Sequence, residues 1–329
     1  MKPSNAFMSP IGPLLTRYVA SKRALGRRAV TMAYILRRLD GFLASSHADD
    51  LTRETFTAWS DSLTSLKADT RRGWCRCVYH FCLFCRRDDP RGFVPDPTQF
   101  PPRGPRPLPY IFSETDISRL LTVAERLEPH AGSPLHRETA RLGLVVLYTT
   151  GLRRGEVVRL TVADYDATAR VLRIRQTKFD KSRLVPVSRE TGLEFERYLG
   201  SRRQLGAPSD DDAPLLVHTH GAGFRGYSGG GFGQLLRRVI RATEIRTAQG
   251  RCPRIHDLRF TFAAHALLRW YRAGVNVQAR LPALARYLGH VSVVSTAYYL
   301  TFHYATAEAA GERFRTQCSA WLLTEGGRP

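Results

Sequence analysis

At 329 residues, 43% hydrophobic and with a formal charge of +21, the chain has the length and apolar content for two packed domains and is too apolar to be disordered. Only five of its 50 basic residues are lysine; arginine forks onto phosphate oxygens in pairs, so the excess points to an extended polyanion such as nucleic acid, the alternative being a merely soluble arginine-rich surface. With no apolar run of about 18 residues and no secretory signal in "MKPSNAFMSPIGPL", a membrane class is excluded and a cytoplasmic, nucleoid-associated protein is expected.

From residue 10 to about residue 87 the pattern is helical. The stretches "GPLLTRYVASKRALG", "AVTMAYILRRLDGFLASS", "RETFTAWSDSLTS" and "ADTRRGWCRCVYHFCLFCRR" carry apolar residues at spacings of three and four. They predict a small all-α domain over residues 1–94. Four of the six cysteines and His80 crowd into the last stretch and raise a zinc site. Zinc knuckles come as two separated pairs across a turn, whereas Cys75, Val78, Cys82 and Cys85 form one helical stripe beside Trp74 and Phe81, which predicts packed free thiols instead.

Residues 95–110, "PDPTQFPPRGPRPLPY", hold seven prolines in sixteen positions and read as a semi-rigid extended linker. A second domain, 111–329, opens at "SETDISRLLTVAERL" with Ser113 and Asp116 at capping-box spacing. Helices are predicted over "RETARLGLVVLYTTG" and "GEVVRL". A hairpin is predicted where "ARVLRIRQTK" and "SRLVPVS" alternate around "FDK", followed by a short strand "PLLVHTH". Helices then run through "GQLLRRVIRAT", "DLRFTFAAHALLRWYRAG", "LPALARYLG", "VVSTAYYL" and "AEAAGERFRTQCSAWLL". "GAGFRG" matches a dinucleotide fingerprint in form but lies in a glycine tract without alternating strands and helices, so it reads as a surface loop. The fold class is mainly α with a small antiparallel β-hairpin in the second domain.

Three basic motifs follow in order: "TTGLRRGEVVRL", "IHDLRFTFAAH" and "LGHVSVVSTAYYL". Between the first two, the hairpin tip "KFDKSR" holds the only lysines after Lys67, in a chain that otherwise avoids lysine. Each motif alone is ordinary: an arginine on a helix is normally a solvated charge. Together they supply what a tyrosine nucleophile needs to attack a phosphodiester. Two arginines neutralise the non-bridging oxygens, a lysine protonates the leaving oxygen, histidines move the phenolic proton, and neighbouring cations lower a phenol pKa near 10.

The series "TGLRRGE", "KFDKSRLVPV", "HDLRFTFAAH" and "LGHVSVVSTAYY" resembles the tyrosine recombinases of the lambda-integrase (phage integrase) type over essentially the whole second domain. The helical first domain and linker resemble that family's core-binding, DNA-clamping domain. The resemblance implies six catalytic residues: Arg153, Lys178 as general acid, His256, Arg259, His290 and Tyr299. Tyr299 stands nine residues after His290, the family's spacing; Tyr298, turned about 100° around a helix, is read as core packing. Arg154 reads as a helix-surface or DNA-backbone charge, Lys181 and Arg183 as DNA-backbone contacts. Glu156 matches an acidic position that braces the arginines, or is a surface glutamate paired to Arg159 or Arg153.

Two departures stand out. Phe260 follows Arg259 where many relatives carry histidine. The span from Ala264 to His290 is longer than usual and resembles a branch encoded by mobile elements that carry several recombinases together. The implied activity is cutting and rejoining of DNA strands through a 3′-phosphotyrosyl link, without metal, ATP or other cofactor. The implied assembly is a homotetramer on two double-stranded DNA sites, with related recombinases as further partners, and the terminal helix is the element exchanged between protomers. The rival readings are a type IB topoisomerase-like nicking-closing enzyme and a non-catalytic DNA-binding accessory subunit.

Overall fold

A computed structural model describes residues 7–26, 29–104, 108–128, 130, 132–175 and 182–289. The chain divides into two units, Met1–Pro107 and Leu108–Pro329.

In the first unit α1 (Gly12–Ala24), α2 (Val30–Ser45), α3 (Arg53–Ser62) and α4 (Ala68–Cys85) follow the predicted stretches closely. Their stripes meet in one core of Leu15, Tyr18, Leu36, Leu39, Leu43, Trp59, Val78 and Phe81. Cys75 and Cys82 lie in it, Cys77 and Cys85 at its edge. Thr52 caps α3 in a reciprocal box with Thr55, satisfying donors that the first turn leaves unpaired. Buried Asp40 on α2 accepts from the Met8 and Ser9 amides and from the Ser9 hydroxyl at 2.8, 2.9 and 2.6 Å, pinning the segment before α1.

The proline-rich stretch is not uniformly extended. A 3-10 turn spans Pro97–Gln99, Phe100 is buried in the first core, and the carbonyl of Pro101 accepts from Arg72 at 2.8 Å. The Gly104 amide donates to Asp69 at 3.1 Å. The stretch from Pro97 to Gly104 is thus tied to the first unit by burial of Phe100 and by Arg72 and Asp69 of α4.

The second unit is built around α6 (His136–Thr150), which buries nine of its residues and leaves none exposed. It packs against α5 (Glu114–Glu125), which starts with the predicted Ser113–Asp116 box. After it come a single turn, α7 (Arg154–Val157), a 3-10 turn at Val162–Asp164 and a three-stranded antiparallel sheet. Its strands are β1 (Tyr165–Asp166), β2 (Val171–Ile174) and β3 (Arg183–Pro186), with Ile174 opposite Arg183 at the base of the predicted hairpin.

Next comes α8 (Arg189–Gln204), a helix absent from the sequence reading. Its buried side is Thr191, Phe195, Tyr198 and Arg202, a helical stripe half made of polar residues and so invisible to a search for apolar periodicity.

The glycine tract also differs from expectation. Gly223–Gly226 is strand β5, paired with β4 (Val217–His220), and Gly229–Ala242 is helix α9. Glycine is a poor helix former, but Ser228 caps the first turn by accepting from the Gly231 amide, and buried Phe232, Leu236, Val239 and Ile240 draw the helix back through the tract.

The unit continues through α10 (Asp257–Arg272) and α11 (Val277–Leu288), which share a small cluster of Ala263, Leu267, Leu281, Leu284 and Leu288. Helix α11 begins earlier than "LPALARYLG" suggests, because Asn276 caps it at the Ala279 amide and the helix passes through Pro282. The predicted helices at "VVSTAYYL" and "AEAAGERFRTQCSAWLL" lie outside the described residues. No helix among the described residues is long and apolar enough to cross a membrane.

Candidate active site

Helix α6 ends on Gly151, whose φ of +61° lies in the left-handed region; a Cβ there would stand 2.6 Å from the Phe262 ring and 2.8 Å from Leu288. Glycine at a helix C-terminus meets both demands. Two residues on, Arg153 precedes α7 and meets Glu156. Its amide donates to Glu156 Oε2 at 2.9 Å and its Nη1 to Oε1 at 3.0 Å. From β3, Arg183 reaches the same carboxylate with Nη2 at 2.9 Å and Nη1 at 3.2 Å.

The Glu156 side chain is 3% exposed. Burial alone would raise its pKa, but hydrogen bonds from Arg183 and from the Arg153 amide, with both positive charges, outweigh that and hold the carboxyl below its usual range. The surface-glutamate alternative is therefore excluded, and Arg159 is not a partner of its carboxylate.

The same arginines converge on the end of α11. The last carbonyls of a helix lack amide partners and carry the negative end of its dipole. The Tyr287 carbonyl accepts from Arg183 Nε at 2.9 Å, the Leu288 carbonyl from Arg259 Nη2 at 2.7 Å, and the Gly289 carbonyl from Arg153 Nη2 at 3.1 Å. Arg259 also donates through Nη1 to the Gly151 carbonyl at 2.6 Å, tying the ends of α6 and α11 together. Gly289 is left-handed too, at φ +66°, and a Cβ on it would stand 2.8 Å from Arg183 Nη1.

Exposure grades across the cluster. Arg259 is 2% exposed and the Arg183 side chain 12%, while the Arg153 side chain is 39% open. Arg153 keeps N–H donors at the surface for an anion, as five are available on each guanidinium.

His256 ends the turn before α10, one residue from buried Asp257. The Asp257 carboxylate accepts from the Arg254 amide at 2.8 Å and from its guanidinium at 2.7 Å. The Asp257 carbonyl accepts from Thr261, whose hydroxyl oxygen takes the Phe112 amide at 3.0 Å, so the start of α10 is held from two sides. His256 is exposed, yet enough protein crowds the ring that lost solvation, followed by the Arg259 charge, lowers its pKa from the ordinary value. Phe260, the unusual neighbour of Arg259, stands edge-on to that ring at 5.4 Å and 88°.

Of the residues singled out from sequence, the structure brings Arg153, Glu156, Arg183 and Arg259 into one network, with His256 in the turn that leads into the helix of Arg259. Arg154 is exposed. Arg183, expected on the DNA backbone, is instead turned inward onto Glu156 and α11. Lys178, Lys181, His290, Tyr298 and Tyr299 lie outside the described residues. Sequence reasoning missed the two glycines and the carbonyls of Tyr287 and Leu288; "TTG" and "LG" were legible as helix-ending glycines, but which guanidiniums they receive was not.

Residues 111–306 match the phage integrase family. The chain is 34% identical over 299 residues to y4rB of Sinorhizobium fredii, by name an integrase/recombinase, covering 89% of this chain and 93% of that one. It is 34% identical over 226 residues to the tyrosine recombinase XerD of Xanthomonas campestris, covering 67% and 63%. Among solved structures, it is similar to the Tn1549 transposon integrase in complex with transposon right end DNA, at a TM-score of 0.63, 18% identity and coverage of 94% and 99%. A lambda integrase dimer bound to a core site matches at 0.59, 15% identity and coverage of 90% and 78%. At these identities the likeness to the solved structures is one of fold.

Proposed function

Since the chain belongs to the phage integrase family and is a tyrosine-type site-specific recombinase, we propose that it cuts and rejoins double-stranded DNA through a 3′-phosphotyrosyl intermediate on Tyr299. The Tyr299 oxygen attacks phosphorus, the bond to the 5′ oxygen breaks, and Lys178 gives that oxygen its proton. His256 and His290 accept the phenolic proton and hydrogen-bond the phosphate, and the lowered pKa of His256 keeps it neutral, able to accept, to more acid pH than an ordinary histidine. Arg153 meets the non-bridging oxygens through its open donors, and the positive charge of buried Arg259 behind it adds to the stabilisation as charge builds on them. In the second half the 5′ hydroxyl of a partner strand attacks the phosphotyrosine, the phenol leaves, and the bond energy is conserved without a nucleotide cofactor.

The observation that carries this reading is the convergence of Arg153, braced by Glu156, and of Arg259 on the end of α11, immediately before His290 in the chain. The helical first unit fits a core-binding role, and in the second unit basic side chains such as Arg154 and Lys181 lie on phosphates. The acting form in this reading is a homotetramer on two DNA sites in the cytoplasm, in a mobile-element setting that includes related recombinases. The structures of DNA-bound integrases of the same fold support double-stranded DNA as the partner.

The test is incubation of the purified chain with duplexes spanning the DNA on either side of its own gene. A denaturant-resistant adduct at a 3′ phosphate, with exchanged junctions on sequencing, is expected. Relaxation of any supercoiled plasmid without exchanged junctions would mean a nicking-closing enzyme, and DNA binding with no adduct a non-catalytic subunit.

A further inference from the structure

Arg183 opens β3, five residues after Lys178 in the chain. It faces Ile174 in register on β2, and its guanidinium is divided between the two oxygens of Glu156 and the Tyr287 carbonyl. A second bond links the same two elements: the Tyr287 hydroxyl donates to the Pro186 carbonyl at 3.3 Å. Behind it, the Tyr287 ring stacks on Phe262 of α10 at 5.5 Å and 18°. Gly289 leaves room for the guanidinium, since a Cβ there would touch Arg183 Nη1. Strand β3 is therefore stapled to the end of α11, and with only 12% of the side chain exposed little of Arg183 is open to a phosphate.

We propose that Arg183 is a positioning residue for strand cleavage: it acts through Glu156 and the carboxyl end of α11, fixing the hairpin that carries Lys178 against the turn that precedes His290. This rests on the reading that Tyr299 cleaves DNA.

Lys178 lies only four residues beyond Ile174 in the chain, so a shift of the staple bears on the general acid, and a misplacement of about 1 Å can cost on the order of a hundredfold in rate. Lysine at position 183 conserves the charge but has no planar fork to span two carboxylate oxygens and a carbonyl at once.

The experiment compares wild type, Arg183→Lys, Arg183→Ala and Gly289→Ala in DNA binding at several salt concentrations and in single-turnover cleavage at saturating DNA. For both Arg183 variants, an affinity within about threefold of wild type with an unchanged salt slope is expected, because a lost phosphate contact alone would lower that slope by about one. Cleavage should fall at least about tenfold, with Arg183→Lys failing to restore it, on the scale of a misplaced catalytic group. The acid limb of the cleavage profile should also move to higher pH in Arg183→Ala. Glu156 then faces only Arg153 and takes up a proton sooner, and circular dichroism over the same pH range separates that shift from acid unfolding. Gly289→Ala presses on the contact from the other side and should show the same split between binding and cleavage, which keeps the test open if Arg183→Ala melts early.

Weakened binding with a reduced salt slope, restored by lysine, would make Arg183 a phosphate contact and overturn the proposal; so would normal cleavage by Arg183→Lys. Tyr299→Phe runs in parallel. If wild type forms no adduct, both readings fall; if it does and the Arg183 variants cleave normally, only the positioning role falls.

Discussion

Replacing Glu156 with glutamine keeps the shape of the side chain and one acceptor oxygen but removes the charge and turns an amide N–H₂ toward a guanidinium. In the native protein the carboxylate receives the Arg153 amide and Nη1 and two donors from Arg183. Arg153 is open enough to turn to water, so its share is small. Arg183 is not, and two hydrogen bonds to a buried charge are worth about 1.5–3 kcal/mol each. Since removing one partner of a buried pair costs about 3–5 kcal/mol and the glutamine oxygen retains part of it, Glu156→Gln should destabilise the second unit by about 3 kcal/mol at pH 7. The native pKa of Glu156 is depressed, so its contribution is complete above the ordinary carboxyl value and fades as pH falls through the lower native value. The gap between wild type and variant should accordingly close below about pH 4. Equilibrium urea denaturation of the full chain at neutral and acid pH, with amide exchange in α11 to localise the loss, measures both quantities. A loss under about 1 kcal/mol at pH 7, the scale of an exposed pair, or a gap that persists in acid, would refute the buried-brace account.

Gly151→Ala should cost about 1–2 kcal/mol for the left-handed backbone and about 1–3 kcal/mol more for crowding Phe262 and Leu288, and should slow cleavage by disturbing the carbonyl that Arg259 holds; a neutral melt with full activity would contradict the packing of α6 against α11. Burial pushes Cys77 up to about 11 and Cys82 up to about 12, so both should resist alkylation at pH 8 until denaturant is added, and stoichiometric zinc in the purified protein would contradict the packed-thiol reading. Lys178→Ala should be slow on an ordinary phosphodiester yet largely rescued when the bridging 5′ oxygen is sulfur, a leaving group that needs little acid. Rescue of Lys181→Ala instead would move the general acid to the other lysine.

Sequence and structure agree where local pattern and tertiary burial agree. The four helices of the first unit follow from apolar residues at spacings of three and four, and the β2–β3 hairpin from strict alternation. Helix α8 stayed hidden because Thr191 and Arg202 take buried places that a hydrophobic stripe would fill. The start of α9 stayed hidden because packing of Phe232 overrides three glycines. At the site, Arg153 and Arg259 could be picked out from their motifs, while the inward turn of Arg183 could not. Its partners Glu156 and Tyr287 are 27 and 104 residues away in the chain, and its neighbour Lys181 suggested a solvated charge.

The central claim is that Tyr299 becomes covalently joined to DNA. A nicked duplex whose short cleaved strand diffuses away traps the enzyme on the remaining 3′ phosphate, and peptide mapping of the trapped adduct identifies the residue that carries it. The account predicts an adduct on Tyr299 that disappears in Tyr299→Phe while DNA affinity stays within a few-fold, and that persists in Tyr298→Phe. An adduct mapped to Tyr298, or one that survives Tyr299→Phe, would contradict it.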